Sequence, residues 1–214
     1  MKKTWQKIKS DYQSVFEMDP AATSKLEVIL TYSGFHAILA YRFAHWMHSH
    51  KVPFFPRFVS QFAKFLTGVE IHPAARIGER FFIDHGMGVV IGETTEIGDN
   101  VTLYQGVTLG GTGKEHKKRH PTLGNNVVVG TGAKILGGMT IGDNVKIGAN
   151  AVVLTPVPPN STVVGVPGRI VKIEGEKVRS DLDHIHLPDP IMERFTRMEQ
   201  EIQELKDKLK DKES

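Results

Sequence analysis

The chain has 214 residues, of which 40% are apolar, and its formal net charge is +3. This length suffices for one good-sized domain or two small ones, and the near balance of charge argues against a general nucleic-acid-binding surface. The absence of cysteine excludes disulfides, thiolate metal sites and a cysteine nucleophile.

The N-terminal residues have no apolar stretch of the kind that signal peptides carry. No segment approaches the roughly 20 apolar residues of a membrane span. We therefore expect a cytoplasmic protein that binds neither membranes nor nucleic acid.

Residues 1–68 show helical periodicity. Apolar residues recur there at spacings of three and four, as in Trp5, Ile8, Tyr12 and Val15. Pro56 is suited to the first turn of a last helix. We predict a helical N-terminal domain over 1–68, whose many aromatic side chains pack within the helices or onto the segment that follows.

An aliphatic residue returns every six positions through the segment 69–173. The repeating residues are Ile71, Ile77, Ile83, Val89, Ile91, Ile97, Leu103, Leu109, Leu123, Val129, Ile135, Ile141, Ile147 and Val153. This period fits neither a helix face nor an alternating strand, but it is typical of a β-solenoid. A solenoid end exposes unpaired strand edges, so we expect the preceding helices to cover one end.

The repeat first fails at Asp84 and His85, where it slips by two residues. Imidazole can accept a proton at neutral pH, so His85 is a candidate general base. Asp84 is adjacent, and Glu70 lies 15 residues earlier, within about one turn of a solenoid with three sides. Either carboxylate could orient the ring. The residues alone leave a purely structural histidine equally open.

The second failure lies between Leu109 and Leu123, where 13 residues stand in place of the five that would complete the period, so about eight protrude. It begins with glycines and continues with basic residues, on a scaffold that is otherwise regular. We interpret it as a loop that contacts an anionic ligand, with a solvated turn as the alternative. It does not match a phosphate-binding Walker loop, because Thr108 stands where that motif needs glycine and Glu115 follows Lys114.

Residues 189–214 follow a linker over 174–188 and carry a heptad pattern. Its apolar positions are Ile191, Phe195, Met198, Ile202, Leu205 and Leu209. We predict a C-terminal amphipathic helix that self-associates as a coiled coil. The alternative is a single helix lying on its own subunit.

Seven short stretches together resemble one enzyme family. They are Asp-Pro-Ala (19–21), Gly-Phe-His-Ala (34–37), Gly-Val-Glu-Ile-His-Pro-Ala-Ala (68–75), Ile-Asp-His-Gly-Met-Gly-Val-Val-Ile-Gly-Glu-Thr (83–94), Gly-Val-Thr-Leu-Gly-Gly-Thr-Gly-Lys (106–114), Arg-His-Pro (119–121) and Gly-Val-Pro-Gly-Arg-Ile-Val (165–171). The chain resembles the serine O-acetyltransferases, hexapeptide-repeat acyltransferases that acetylate L-serine with acetyl-CoA in cysteine biosynthesis. The likeness covers roughly residues 10–173.

The resemblance implies a mainly β fold with α-helices: a left-handed parallel β-helix preceded by a helical domain and followed here by a C-terminal helix. It also implies a homotrimer with active sites between neighbouring solenoids. His85 matches the catalytic base that removes the serine hydroxyl proton. Glu70 matches the carboxylate that orients this base, although the best-known members have Asp at that position.

Further roles come from the same resemblance. Asp19 and Asp84 match residues that hold the substrate amino group, Arg119 matches the residue that pairs with its carboxylate, and His120 matches another substrate contact. Acetyl-CoA, the co-substrate, is expected along the solenoid beside Gly111, Thr131, Gly132 and Lys146, with Arg169 at a CoA phosphate. No metal is expected.

The resemblance also bears on regulation and partners. Cysteine is expected to act as a feedback inhibitor in the serine site. Long family members end in an isoleucine that inserts into O-acetylserine sulfhydrylase, whereas this chain ends in Asp211-Lys212-Glu213-Ser214. The sequence therefore does not predict that complex.

Three other functions remain compatible with a solenoid of this kind. The first is an acetyltransferase for a sugar or an antibiotic. The second is a zinc enzyme of the γ-carbonic-anhydrase type with His85, His116 and His120 as ligands. The third is a non-catalytic scaffold that binds a partner enzyme through its C-terminal helix.

Overall fold

The computed structural model describes residues 2–113, 117–173, 176–177, 197–198 and 201–202. The chain divides into two units, Met1–Val178 and Arg179–Ser214. In the second unit residues 197–198 and 201–202 are helical, and Met198 and Ile202 are about half exposed. The rest of the predicted helix 189–214, and most of the predicted linker 174–188, lie outside the described residues. The proposed division into 1–68, 69–173, 174–188 and 189–214 stays a prediction.

Four helices precede the strands of the first unit. They span Lys2–Met18 (α1), Lys25–Thr31 (α2), Ser33–Ser49 (α3) and Phe55–Thr67 (α4). Pro56 lies in the first turn of α4, as predicted, and α4 is capped by Gly68, whose φ of 72° is left-handed. Among the helices that the structure describes, none is long and apolar enough to cross a membrane.

Short strands follow, most of them two residues long. They are Glu70–Ile71 (β1), Arg76–Ile77 (β2), Phe82–Ile83 (β3), Val90–Ile91 (β4), Glu96–Ile97 (β5), Thr102–Leu103 (β6), Thr108–Gly110 (β7), Thr122–Leu123 (β8), Val128–Val129 (β9), Lys134–Leu136 (β10), Thr140–Ile141 (β11), Lys146–Ile147 (β12), Val152–Val153 (β13), Ser161–Val164 (β14), Arg169–Ile173 (β15) and Glu176–Lys177 (β16).

The strands stack as three parallel sheets that form the sides of a left-handed β-helix. Sheet A has the order β1-β4-β7-β10-β13, sheet B has β2-β5-β8-β11, and sheet C begins β3-β6-β9-β12-β14. Strands β15 and β16 close sheet C in antiparallel pairing. The predicted solenoid is therefore confirmed.

The strand register confirms both predicted interruptions. Val90 pairs with Thr108, which sets the uninterrupted coil at 18 residues. Glu70 pairs with Val90, so the first coil is longer by two residues. Thr108 pairs with Lys134, so the coil that carries the loop is longer by eight.

The interior of the solenoid is filled by the repeating aliphatic residues, all of which are buried. Full burial of one such side chain contributes about 1.5–3 kcal/mol, so the column supplies much of the stability of the fold. The predicted core is confirmed.

The helices cover the end of the first coil, as predicted. N–H groups of the first coil donate to the second coil, for example Glu70 N to Val89 O at 2.9 Å. Carbonyl groups of the first coil therefore lack a strand partner and accept from side chains of the helices instead. These bonds run from Ser60 Oγ to Ile71 O (2.6 Å), from Tyr41 Oη to Ala75 O (2.7 Å), and from Lys7 Nζ and Arg42 Nη1 to Ile77 O (2.8 Å each).

A buried ion pair fixes α1 and α3 on this coil. Arg42 Nη2 lies 2.9 Å from Asp11 Oδ2, and the two side chains are 3% and 0% exposed. Asp11 Oδ1 also accepts from Phe81 N at 3.0 Å, and Arg42 Nη2 donates to Gly78 O at 2.6 Å. Breaking a buried pair of this kind typically costs about 3–5 kcal/mol, so the placement of the two helices is well determined.

The expectation that the aromatic side chains pack is wrong for α4. Phe55, Phe58, Phe62 and Phe65 are each more than half exposed in the single chain. The buried face of this helix consists instead of small residues such as Ser60 and Ala63, which let the helix lie close to β1.

Candidate active site

Asp84 and His85 form a corner between β3 of sheet C and β4 of sheet A, which we call the C–A edge. A cleft of about 290 Å³ opens at this corner. Its lining residues are Asp19, Thr31, Tyr32, Ser33, Gly34, Ile83, Asp84 and His85. Three of the predicted site residues, from the end of α1 and from the corner, are thus brought together.

The two-residue slip gives His85 an unusual backbone and a free side chain. Its φ is 57°, a left-handed value that non-glycine residues seldom adopt. The backbone is anchored because Ser33 Oγ donates to His85 O at 3.0 Å. The side chain is 72% exposed, and its Nε2 lies 3.9 Å from Asp84 Oδ1. The corner holds the residue but leaves the imidazole open to a substrate.

The carboxylate of Asp19 is held on both oxygens. Oδ1 accepts from Ala21 N at 2.8 Å, and Oδ2 accepts from the Tyr32 hydroxyl at 2.8 Å. Burial, and then the bond to Asp19, raise the pKa of Tyr32 to about 12. Tyr32 therefore stays protonated at neutral pH and keeps donating.

Gly34 sets the depth of this cleft. A Cβ at this position would lie 2.1 Å from Ile83 O, so only glycine lets α3 rest directly on β3. The close approach brings Tyr32 and Ser33, which flank the start of α3, against the corner.

Glu70 makes its hydrogen bonds to α4. Lys64 Nζ donates to Glu70 Oε2 at 2.5 Å, and Gln61 Nε2 lies 3.5 Å from Oε1. The bond from Lys64 lowers the pKa of this carboxyl group. The proposed role of Glu70 in orienting His85 stays a prediction.

Arg119 and His120 end the long loop and enter β8 of sheet B, at what we call the A–B edge. Arg119 Nη2 lies 2.6 Å from Glu93 Oε2, which belongs to the corner one coil earlier. Lys118 Nζ donates to Thr94 O at 2.6 Å in the same corner. The loop is described at 110–113 and 117–122, and it is fastened at its end to the 93–94 corner.

His120 is 8% exposed and sits in a slot between two glycines. A Cβ on Gly92 would lie 1.9 Å from its Cδ2, and one on Gly111 would lie 3.0 Å from its Nε2. Thr94 N and Thr94 Oγ1 lie 3.2 and 2.9 Å from its Nδ1. Burial lowers the pKa of His120, so the ring is neutral at physiological pH. Our sequence reasoning assigned no role to Gly92 or Thr94, since only their place within a shared motif marked them.

The predicted substrate residues therefore form two groups within one chain. Asp19, Asp84 and His85 lie at the C–A edge, whereas Arg119 and His120 lie at the A–B edge. Strands of sheet A run between these two edges. The chain by itself does not bring the groups into one pocket.

The predicted acetyl-CoA residues are spread over both edges. Thr131 and Gly132 continue the C–A edge above His85, because Gly106 N donates to Met87 O and Gly132 N donates to Gln105 O. Two coils at the usual strand spacing make about 10 Å. Lys146 begins β12 in sheet C, Arg169 begins β15, and Gly111 lies at the A–B edge.

Two of the three histidines of the zinc hypothesis, His85 and His120, lie at different edges. His116 lies outside the described residues. In the part of the chain that the structure describes, no group of three His, Asp or Glu side chains is arranged to hold a metal ion.

Two segments of the chain match the models of known protein families. Residues 1–40 match the family described as serine acetyltransferase, N-terminal, and residues 120–155 match the bacterial transferase hexapeptide (six repeats). The serine acetyltransferase of Bacillus subtilis (strain 168) is 60% identical, over 96% of this chain and 94% of that protein. The chain belongs to the serine acetyltransferase family. The resemblance seen in the sequence is thereby confirmed.

Solved structures of family members agree with the fold. The serine acetyltransferase of Neisseria gonorrhoeae in complex with serine matches with a TM-score of 0.77 and 40% identity, over 79% of this chain and 69% of that chain. The enzyme of Brucella abortus strain S19 in complex with coenzyme A gives 0.76 and 43%, over 78% and 67%. A serine acetyltransferase in complex with cysteine gives 0.78 and 43%, over 79% and 70%.

Proposed function

We propose that this protein transfers the acetyl group of acetyl-CoA to the hydroxyl of L-serine, with His85 as the general base. The observation that carries the mechanism is the cleft at the C–A edge, in which an exposed imidazole lies 3.9 Å from the Asp84 carboxylate and shares the lining with Asp19. Membership of the serine acetyltransferase family supports this choice of reaction.

In the proposed step His85 removes the proton from the serine hydroxyl as the oxygen attacks the thioester carbonyl carbon. The tetrahedral intermediate then loses the CoA sulfur, which takes the proton from the imidazolium, so that O-acetyl-L-serine and CoA are released. Asp84, 3.9 Å from the ring, stabilises the imidazolium by charge. Glu70 would orient the ring after releasing Lys64.

The substrate residues would divide according to charge. Asp19 and Asp84 pair with the ammonium group of serine, and Arg119 and His120 bind its carboxylate, where a guanidinium allows bidentate contact. Because these residues lie at opposite edges of sheet A, a complete site requires the A–B edge of a neighbouring chain. We therefore propose a homotrimer with three such sites, as closed cyclic symmetry allows.

Sheet A suits contact with neighbouring chains. Its outward positions include the apolar Val90 and Val152, and its two charged residues, Glu70 and Lys134, are bonded within the chain to Lys64 and to Gly106 O. The corresponding positions of sheet B are Arg76, Glu96, Thr122 and Thr140, none of which is apolar. The centre of an interface is usually more apolar than the rest of the surface, which favours sheet A over sheet B as the contact surface.

Acetyl-CoA would lie along the C–A edge of one chain and the A–B edge of its neighbour. Thr131, Gly132 and Lys146 would contact it from the first, Gly111 from the second, and Arg169 would reach a CoA phosphate. The family member that binds coenzyme A supports a CoA site on this fold.

Cysteine would compete with serine, because it shares the amino and carboxylate groups that these residues recognise. A cysteine complex of a family member supports this inhibition. We further propose a cytoplasmic location, where acetyl-CoA and serine are available.

The direct test measures CoA release from acetyl-CoA by the purified full-length protein with a panel of acceptors. L-Serine is expected to stimulate release strongly, whereas sugars and aminoglycosides are not. Preference for a sugar or an antibiotic over serine would overturn the proposal. Metal analysis of the same preparation tests the zinc hypothesis, which requires stoichiometric zinc.

A further inference from the structure

Thr94 connects the corner at 92–94 to the two residues that end the long loop. Its hydroxyl oxygen lies 3.1 Å from Arg119 N and 3.1 Å from His120 N, and 2.9 Å from His120 Nδ1. Its own N–H points to the same Nδ1 at 3.2 Å. One short side chain thus contacts two neighbouring residues that lie 25 and 26 positions further along the chain.

These contacts determine where each proton lies. Backbone N–H groups can only donate, so Arg119 and His120 use both lone pairs of the Thr94 hydroxyl oxygen. The single hydroxyl proton is then left for His120 Nδ1, which also receives the N–H of Thr94. Nδ1 must therefore be an unprotonated acceptor, and the ring proton of the neutral imidazole must be on Nε2.

The Nε2 side of the ring faces the two glycines of the slot. A Cβ at Gly92 would lie 2.1 Å from Nε2, and one at Gly111 would lie 3.0 Å from it. Within the described residues no acceptor is bonded to Nε2, so its N–H is available to a ligand. Because burial lowers the pKa of His120, protonation does not convert Nδ1 into a competing donor at neutral pH.

We propose that Thr94 is a positioning residue, which fixes His120 as the Nε2–H tautomer and holds the backbone of Arg119, so that both side chains donate to the carboxylate of the bound amino acid. The inference rests on the proposed function, in which this carboxylate is that of serine. Thr94 itself does not touch the substrate. Gly92 and Gly111 leave the space that the imidazole of His120 occupies, and Thr94 fixes the orientation of that ring.

Thr94→Val tests the proposal because it keeps the shape of the side chain and removes only the hydroxyl. We expect the KM for serine to rise about 10-fold, since two backbone donors and Nδ1 lose a partner. The KM for acetyl-CoA should change less than about 2-fold, because the lost contacts do not involve CoA. Thr94→Ser should restore the serine KM to within about 2-fold of the original, since it returns the hydroxyl.

Thr140→Val is the matched control. Thr140 begins β11 in sheet B and is exposed, so the same change there should leave both KM values unaltered. An unchanged serine KM in Thr94→Val would overturn the proposal. So would a Thr94→Ser variant no better than Thr94→Val, or a rise of both KM values together, which would indicate a merely structural role.

The tautomer can be read without any activity measurement. In 15N-histidine-labelled full-length protein, His120 is identified as the signal lost in His120→Gln. We expect its Nε2 to carry the proton in the unmodified protein, and a weaker preference for that tautomer in Thr94→Val, where only the backbone N–H of residue 94 still donates to Nδ1. A proton on Nδ1 in the unmodified protein, or unchanged 15N chemical shifts of His120 in Thr94→Val, would overturn the inference.

The two readouts separate this proposal from the proposed function. If serine fails to stimulate CoA release by the unmodified protein, the proposed function fails, and the NMR result still decides whether Thr94 fixes the tautomer. If serine stimulates release but the tautomer or the serine KM does not respond to Thr94→Val, only the positioning role fails.

Discussion

Each edge of sheet A carries one of the predicted site histidines, and the fold treats these two residues in opposite ways. His85 at the C–A edge is 72% exposed, whereas His120 at the A–B edge is 8% exposed and enclosed by glycines. A general base must gain and lose a proton at each turnover, so it needs contact with the substrate and freedom from fixed partners. A residue that only binds is best held in one protonation state and one orientation.

The two edges also differ in what holds them. At the C–A edge the backbone is fixed by a left-handed residue and by Ser33, while the imidazole is left free. At the A–B edge the inserted loop returns to the solenoid and is held there by bonds to the side chains of Glu93 and Thr94. The slip in the repeat thus leaves one histidine exposed and free to move. The insertion instead holds the other histidine in a closed slot.

The largest expected effect follows from removing the free imidazole. His85→Ala should lower kcat by about 10²–10⁴-fold, because loss of a general base typically has that consequence. Serine-dependent CoA release at saturating substrate measures it. His50→Ala is the control, since His50 is exposed and bonds only locally to Trp46. Nearly full turnover by His85→Ala would refute the assignment of the base.

The next prediction tests whether the two edges meet only between chains. His85→Ala and Arg119→Ala should each be nearly inactive, but mixed trimers purified after co-expression should recover about one third of full activity, because one of the three interfaces in every mixed trimer unites two intact edges. Activity per site in the purified mixed trimers measures this recovery.

A matched mixture defines the control for this complementation. His85→Ala and Asp84→Ala both damage the C–A edge, so their mixed trimers cannot rebuild a site. Equal activity of the two mixtures would contradict the placement of the site between chains.

A third prediction concerns the slot that fixes His120. Gly92→Ala should raise the serine KM about 10-fold or more, because the new Cβ would lie 1.9 Å from the ring and overpacking of this kind costs about 1–3 kcal/mol. Gly110→Ala is the control, since its Cβ would meet the flexible end of Leu136. Initial rates over a range of serine concentrations decide, and similar KM values for the two variants would count against the slot.

A smaller effect is expected at the C–A edge from Tyr32→Phe. The change removes the 2.8 Å hydrogen bond to Asp19 and should raise the serine KM about 5-fold, in keeping with about 1 kcal/mol for one such bond. Tyr12→Phe provides the comparison, because Tyr12 packs against Phe16 and Phe35 away from the cleft. If both variants have the same serine KM, Asp19 does not depend on Tyr32.

The smallest expected effect is on stability at the A–B edge, one coil below Thr94. His72 Nδ1 accepts from Ala74 N at 3.1 Å, and burial lowers the pKa of His72 to about 4. Between pH 6.5 and 4 the imidazole of His72 therefore binds a proton more readily in the unfolded chain than in the folded chain. The contribution of neutral His72 to the free energy of unfolding is present above pH 6.5 and is lost as the pH falls towards 4.

His72→Asn should reduce this loss of unfolding free energy by about 1 kcal/mol, since its amide oxygen can accept from Ala74 N without titrating. Urea unfolding at a series of pH values and one protein concentration measures it. His50→Asn should leave the pH dependence unchanged. An unaltered pH dependence in His72→Asn would show that this ring does not titrate on unfolding.

Much of the fold was predictable because it depends on local periodicity. The recurrence of Ile, Leu or Val at every sixth position determines three sheets around a single column of aliphatic side chains. This pattern can be recognised without any knowledge of contacts between distant residues. Its failures at Asp84-His85 and in the loop before Arg119 pointed to the residues that form the two edges. The exposure of the α4 phenylalanines was not predictable, because the periodicity of a helix shows which residues share a face but not which face meets the solenoid.

The sequence by itself determined the repeat, the two interruptions and the family, since each is a pattern of residues along the chain. Tertiary structure alone decided that Arg119 and His120 lie across sheet A from His85, that Thr94 reaches them across a coil, and that Gly92 makes room for the ring. The physical reason is that strand stacking brings together residues 20 or 26 positions apart only after the slip and the insertion have set the register.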